Sequence, residues 1–175
     1  MRTRRTTTAA AAAATFLAVD TAAAGPAAAA DGPEQGTVDV LGCVTPEAGG
    51  DGTTEVVEGP TQAFLFGWGT GTRGLLTHFL KSQETTVTVR YDGQPPVTQD
   101  LSNAFSAPVH DEAGPWTSEL LVPLGDLEAG DSVEVTIDRT TTKPSMDQLK
   151  GVYRGLIPAG TTLASGTCTI TVVEA

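Results

Sequence analysis

Six consecutive residues carry the sharpest chemical pattern in the chain. Gly69-Thr70-Gly71-Thr72-Arg73-Gly74 reads G-x-G-x-x-G, follows the apolar run Gln62 to Trp68, opens a segment of helical spacing, and precedes an alternating run that leads to Asp92. In a dinucleotide-binding unit this order puts pyrophosphate on a helix N-terminus and a ribose hydroxyl on the acid. The surroundings oppose that use. The helical segment is short, no further strand and helix alternation follows, and a net charge of −11 repels a polyphosphate. The expected role of the motif is a glycine-rich corner between strand and helix, with no cofactor; nucleotide binding through Gly69, Gly71 and Gly74 is the lesser alternative.

The remaining candidates for chemistry are sparse. There are two histidines, His78 and His110. His110-Asp111-Glu112 has the residue types of a cation site or a hydrolase, but adjacent side chains splay apart and no second ligand cluster accompanies them, so a solvated loop and no metal are expected. The chain contains no G-x-S-x-G, no H-E-x-x-H and no EF-hand loop. Two distant carboxylates could still pair as in a glycosidase, so a small carboxylate hydrolase stands as the enzymatic alternative, with no residue assigned to it. Trp68 and Trp116 lie in apolar strand contexts. Trp68 reads as a core residue, whereas Trp116, just after Gly114-Pro115, could stand at a strand mouth and meet a sugar ring.

The address of the protein follows from its first thirty residues. Arg2, Arg4 and Arg5 form a basic start, Ala9 to Val19 an apolar stretch, and Ala27 to Ala30 an A-x-A site before Asp31. The apolar stretch is well short of the roughly 20 residues that span a bilayer. Residues 1–30 are therefore expected to be a cleaved signal peptide, leaving a secreted, monomeric product of residues 31–175 with no membrane span. Of the 10 basic and 21 acidic residues, three arginines and Asp20 fall in that signal, which leaves 7 against 20. Such a field excludes nucleic acid as a partner. In an oxidising compartment the only two cysteines, Cys43 and Cys168, are expected to be bonded to each other. Closing that loop of about 125 residues would stabilise by roughly 4–5 kcal/mol in the chain-entropy account.

The elements that would position these residues are mostly strands. Val87, Val89 and Tyr91 alternate with polar residues over Thr85 to Tyr91; Val133, Val135 and Ile137 do so over Ser132 to Asp138; and Cys168, Ile170 and Val172 share a face in Thr167 to Val172. Cys168 should point inward. Gln62 to Trp68 is apolar on both faces, with Ala63 and Leu65 opposite Phe64, Phe66 and Trp68, and reads as a central strand. Thr37 to Val44, Glu55 to Glu58 and Trp116 to Val122 complete a set of about seven strands, the number a two-sheet sandwich needs. Asp92-Gly93 signals a turn, and Pro95-Pro96 confines the next segment to an edge or a loop. Glu47 to Gly52, Ala107 to Pro115 and Lys143 to Gly151 read as surface loops. From Gly74 to Lys81, Leu75, Leu76, Phe79 and Leu80 recur at helical spacing, opposite Thr77, His78 and Lys81, and predict one short helix.

The stretch Leu124-Gly125-Asp126-Leu127-Glu128-Ala129-Gly130-Asp131-Ser132-Val133-Glu134-Val135 resembles a turn and strand of bacterial extracellular immunoglobulin-like and fibronectin-type-III-like modules. In it Leu124 and Leu127 pin a loop to the core, Gly130 turns the backbone, and Asp131-Ser132 lead into a strand. The resemblance implies an all-β, immunoglobulin-like sandwich and carries no activity with it. The chain departs from antibody domains, which have a tyrosine two residues before the second cysteine where this chain has Gly166. The functional expectation is a secreted, non-catalytic binding or structural module, an inhibitor among the possibilities, whose partner is an extracellular protein or glycan.

Overall fold

The computed structural model describes residues 36–45, 52–110, 112, 114–149 and 152–175. The expected signal peptide and residues 47–51 of the expected loop Glu47 to Gly52 lie outside the described residues. In chain order the elements are β1 (Thr37–Asp39), α1 (Val40–Val44), β2 (Thr53–Val57), β3 (Gly59–Thr70), α2 (Arg73–Leu80), β4 (Gln83–Tyr91), β5 (Val97–Asp100), β6 (Val109–His110), β7 (Trp116–Leu127), β8 (Ser132–Thr141), β9 (Ser145–Leu149), β10 (Val152–Ile157) and β11 (Thr162–Val173). One sheet has the order β1-β3-β7-β6 and the other β2-β11-β8-β4-β5, while β9 and β10 pair only with each other. The two larger sheets pack as a sandwich. Most neighbours are antiparallel, but β1 runs parallel to β3 and β2 parallel to β11.

Alternation builds the core. Val87 and Val89 of β4, Val133, Val135 and Ile137 of β8, and Cys168, Ile170 and Val172 of β11 are all buried, and they meet Ala63 and Leu65 of β3 and Leu120, Val122 and Leu124 of β7 across the sandwich. Each such side chain contributes on the order of 1.5–3 kcal/mol on leaving water. Leu124 and Leu127 do pin the β7–β8 turn, at 2% and 5% exposure, and Gly130 turns the backbone with φ 93°. Asp131 closes it by accepting the Glu128 amide at 2.9 Å. The Tyr91 hydroxyl crosses from β4 to donate to the Leu124 carbonyl at 2.8 Å. After the two prolines that precede it, β5 is an edge strand, and β3 is an interior one.

Three local expectations are corrected. Only Thr37–Asp39 of the segment Thr37 to Val44 is a strand; the Asp39 carboxylate accepts the Gly42 amide at 3.0 Å and starts α1, so there are two helices rather than one among the described residues. Most of Lys143 to Gly151 is the strand β9 rather than loop. It pairs only with β10, with Ser145 buried and Met146 exposed, and its sequence shows no apolar alternation that would mark a strand. The third lies in β3, where the register against β7 shifts between Phe66 and Trp68. This bulge changes the phase of the strand, and Trp68 stacks on the buried Phe79 of α2 instead of continuing the face of Phe64. The strand count exceeds seven through the four short strands β5, β6, β9 and β10.

Candidate functional site

The inward rows of β4 and β8 change character at one end of the sandwich. Along β8, Val133, Val135 and Ile137 give way to Arg139 and Thr141, which are just as buried; along β4, Val89 and Val87 give way to Thr85 and Gln83. The register pairs Thr85 with Arg139 and Gln83 with Thr141, so both strands bring their polar residues to the same place. A core position costs free energy for a polar group unless a partner compensates it. Here Arg139 Nε donates to Gln83 Oε1 at 2.5 Å and Nη2 donates to the Gly67 carbonyl. The guanidinium carbon lies 5.0 Å from the Phe105 ring centroid and 5.9 Å from that of Phe79, within cation–π range of both. Burial lowers the Arg139 pKa to about 10, so the side chain remains protonated at neutral pH.

Four buried polar atoms in the described chain have no hydrogen-bond partner: Trp68 Nε1, Gln83 Nε2, Thr85 Oγ1 and Ser145 Oγ. Three belong to residues that touch or pair with the Arg139 surroundings. Gln83 holds Arg139, Thr85 sits opposite it in the ladder, and Trp68 stacks on Phe79 with ring centroids 4.5 Å apart. Orphans are rare in folded proteins, and three of them cluster around this buried cation.

A cleft of about 300 Å³ opens at this end. Its walls are Leu41, Val44 and Thr45 at the end of α1, Trp68 of β3, Arg139 of β8, and Leu163, Ala164 and Ser165 of β11. The α1 wall is held in two ways. Cys43 is bonded to Cys168 of β11, with their Cα atoms 5.7 Å apart. Gly166 admits the helix: a Cβ there would stand 2.9 Å from Val44 Cβ. The disulfide expected from the sequence is thus present, but it fixes a helical turn against the last strand rather than joining two strands.

The other sequence candidates are not brought to this cleft. Gly69, Gly71 and Gly74 form the corner between β3 and α2, and none is among the positive-φ glycines. The N-terminus of α2 is capped by its own chain, since Thr72 Oγ1 accepts the Leu75 amide at 3.2 Å and the Thr72 carbonyl accepts that of Leu76 at 3.1 Å. The strands flanking α2 lie in different sheets, unlike the parallel pair of a dinucleotide unit. His78 is exposed, with Nε2 3.5 Å from Ser82 Oγ. Ser82 is buried and donates to the His78 carbonyl at 2.7 Å, which makes it a helix-end cap instead of a nucleophile. His110, on the edge strand β6, stacks on half-buried Trp116 with centroids 5.0 Å apart; Asp111 lies outside the described residues. Among the described residues no three His, Cys, Asp or Glu side chains converge, and no helix is long and apolar enough to cross a membrane.

Arg139 was missed, because the strand read from Ser132 stops at Asp138, one residue before this next inward position of β8. The alternation that begins at Val133 runs on past Asp138, and an arginine in phase with a hydrophobic row is the informative departure. Thr85 and Gln83 extend β4 in the same way, at the end of the strand where no apolar residue draws attention to the face. No known protein family, no curated protein and no solved structure matches this chain. The class its own architecture defines is a two-sheet, all-β sandwich with a disulfide-anchored helical turn beside a polar inner end.

Proposed function

We propose that the protein is an exported binding module that takes a small molecule into the cleft beside Arg139 and does not transform it. The observation that carries this reading is the cleft itself, walled by apolar residues of α1 and β11 and by the buried Arg139, with the unpartnered Nε1 of Trp68 among its lining residues. A side chain that serves stability alone is more simply replaced by an apolar one of similar volume. Cavities with an apolar lining and a few convergent polar groups are where proteins seat ligands, and this one falls at the small end of their range. The export signal read in residues 1–30 and the Cys43–Cys168 bond fit a working place outside the cell.

A thermal-shift screen of the protein starting at Asp31 against small metabolites tests the proposal. At least one compound is expected to raise Tm in wild type and to lose that effect in Ala164→Phe, which fills the cleft from β11 at the position opposite Arg139 in the ladder. Mass spectrometry should recover the bound compound unchanged. Equal stabilisation of the filled variant would place binding elsewhere, and chemical conversion of the compound would make the protein an enzyme.

A further inference from the structure

We infer that the outer face of the sheet β1-β3-β7-β6 is a docking surface for a polypeptide that presents apolar side chains among Lys or Arg residues; this inference does not depend on the cleft. The two sheets have unlike outer faces. On the sheet that contains β11, Thr88, Thr136 and Thr167 alternate with buried residues and so point away from the core. The Thr88 hydroxyl lies 2.8 Å from that of Thr98, and the Thr136 hydroxyl 2.8 Å from that of Thr167, which makes a hydroxyl face suited to water. On the other sheet Phe64 stands between buried Ala63 and Leu65, and Leu121 between buried Leu120 and Val122. The register sets Phe64 beside Leu121 and Gln62 beside Pro123. Leu121 is 44% exposed, Val109 of the edge strand β6 is 41% exposed, and Pro60 and Pro123 are exposed as well. A strand that is apolar on both faces, as β3 is, belongs where both faces are covered, and apolar surface with a polar rim is where partners dock.

Charge selects the occupant. The strands β1, β3, β6 and β7 contain no Lys or Arg, while Asp39, Glu119 and Asp126 are exposed on them. Asp39 is the partner of Phe64 in the β1–β3 register, Asp126 is that of Pro60 in the β3–β7 register, and Glu119 lies two residues along β7 from Leu121, so all three acids share the outer face. A second copy would set these acids against like charges, and the segment 31–35 that precedes β1 brings Asp31 and Glu34 and no cation. A cationic partner with apolar side chains satisfies both the acids and the apolar surface, and the net charge of −11 steers it inward. At one end of the face a hollow of about 400 Å³ lies among Gly36, Thr37, Pro60, Gln62, Pro123 and Gly125, with room for one large anchoring side chain.

The test uses a short fluorescein-labelled peptide of alternating Lys and Leu, with peptides of alternating Glu and Leu and of alternating Lys and Ser as controls, read by anisotropy at physiological salt. The Lys-Leu peptide is expected to bind the purified protein saturably, and both controls at least about tenfold more weakly. Leu121→Ser should weaken binding by about fivefold or more with Tm retained, since the side chain is already exposed. Glu119→Lys should weaken it by about tenfold or more. Glu55→Lys makes the same charge change at an exposed position of β2 in the other sheet, and should weaken it by less than about twofold. Equal losses in Glu119→Lys and Glu55→Lys would overturn the assignment to this face, leaving only attraction between net charges. Equal binding of the Glu-Leu peptide would overturn the cationic partner. No saturation by the Lys-Leu peptide would overturn the inference altogether, and sedimentation of a dimer that Leu121→Ser dissolves would give the face to a second copy instead.

Discussion

Gly67 shows how one missing side chain shapes the site. A Cβ at this position would lie 2.5 Å from the Ser118 carbonyl oxygen and 3.1 Å from the Phe105 ring, so the close approach of β3 to β7 at the bulge needs glycine. The same residue's carbonyl accepts from Arg139. Gly67→Ala is therefore expected to destabilise by about 2–3 kcal/mol and to disturb Arg139, whereas Gly74→Ala, with open space at its Cβ, should be neutral or stabilising. Urea unfolding of both variants checks the contrast. It also explains why the motif of alternating glycines stood out in the sequence while the glycine that matters did not: spacing is visible in a string of letters, and the proximity of a neighbouring carbonyl is not. Asp100 supplies a second residue-scale test. Its carboxylate accepts from the Ser102 hydroxyl at 2.5 Å and amide at 3.0 Å, and these bonds hold its pKa below the usual 3.8. Because the folded-state value is depressed, the stabilising contribution is present above pH 3.8 and is lost as pH falls through the lowered value. Carboxyl NMR titration should show Ser102→Ala raising the Asp100 pKa toward its ordinary value.

Among the elements, those that bury one clean face were legible and those that do not were obscured. The helix α2 was found from Leu75, Leu76, Phe79 and Leu80, and it buries Leu76 and Phe79 completely. Its start depends on Thr72, whose hydroxyl accepts the Leu75 amide. Thr72→Ala is expected to cost about 1 kcal/mol, measured by chemical denaturation. The turn α1 escaped because five residues are too few to show a period, and Val38 of β1 and Val40 of α1 alternate as a strand would. Its helical form comes from a cap by Asp39 and a bond to β11, the second of which is a tertiary fact. The candidate site was hidden for a related reason. Arg139, Thr85 and Gln83 continue strands already identified, but their meaning lies in the register that sets them opposite one another.

At the scale of the whole molecule the Cys43–Cys168 bond is the longest covalent constraint, closing a sequence separation of 125 residues. Chain-entropy reasoning assigns such a loop roughly 4–5 kcal/mol. For a chain of this size, Cys43→Ser or reduction should lower Tm by on the order of 10 °C. The β-rich circular dichroism at low temperature should persist, since the sheet ladders do not depend on the bond. The cleft should fare worse than the sheets, because its α1 wall loses the covalent anchor to β11.

The parallel pairing of β2 with β11 also sets a timetable. In the sheet order β2 has β11 as its sole neighbour, and β11 is the last strand of the chain, wedged between β2 and β8. A polypeptide that emerges N-terminus first therefore displays β2 for the passage of more than a hundred residues before its mate arrives. Half of the sandwich must wait for the final segment, and contacts this distant in sequence place folding in the millisecond-to-second range of β-rich topologies. A nascent chain stalled with β11 still inside the ribosomal tunnel should remain sensitive to protease and become resistant only once β11 has emerged. Such a chain stays open to threading until β11 has reached its place between β2 and β8.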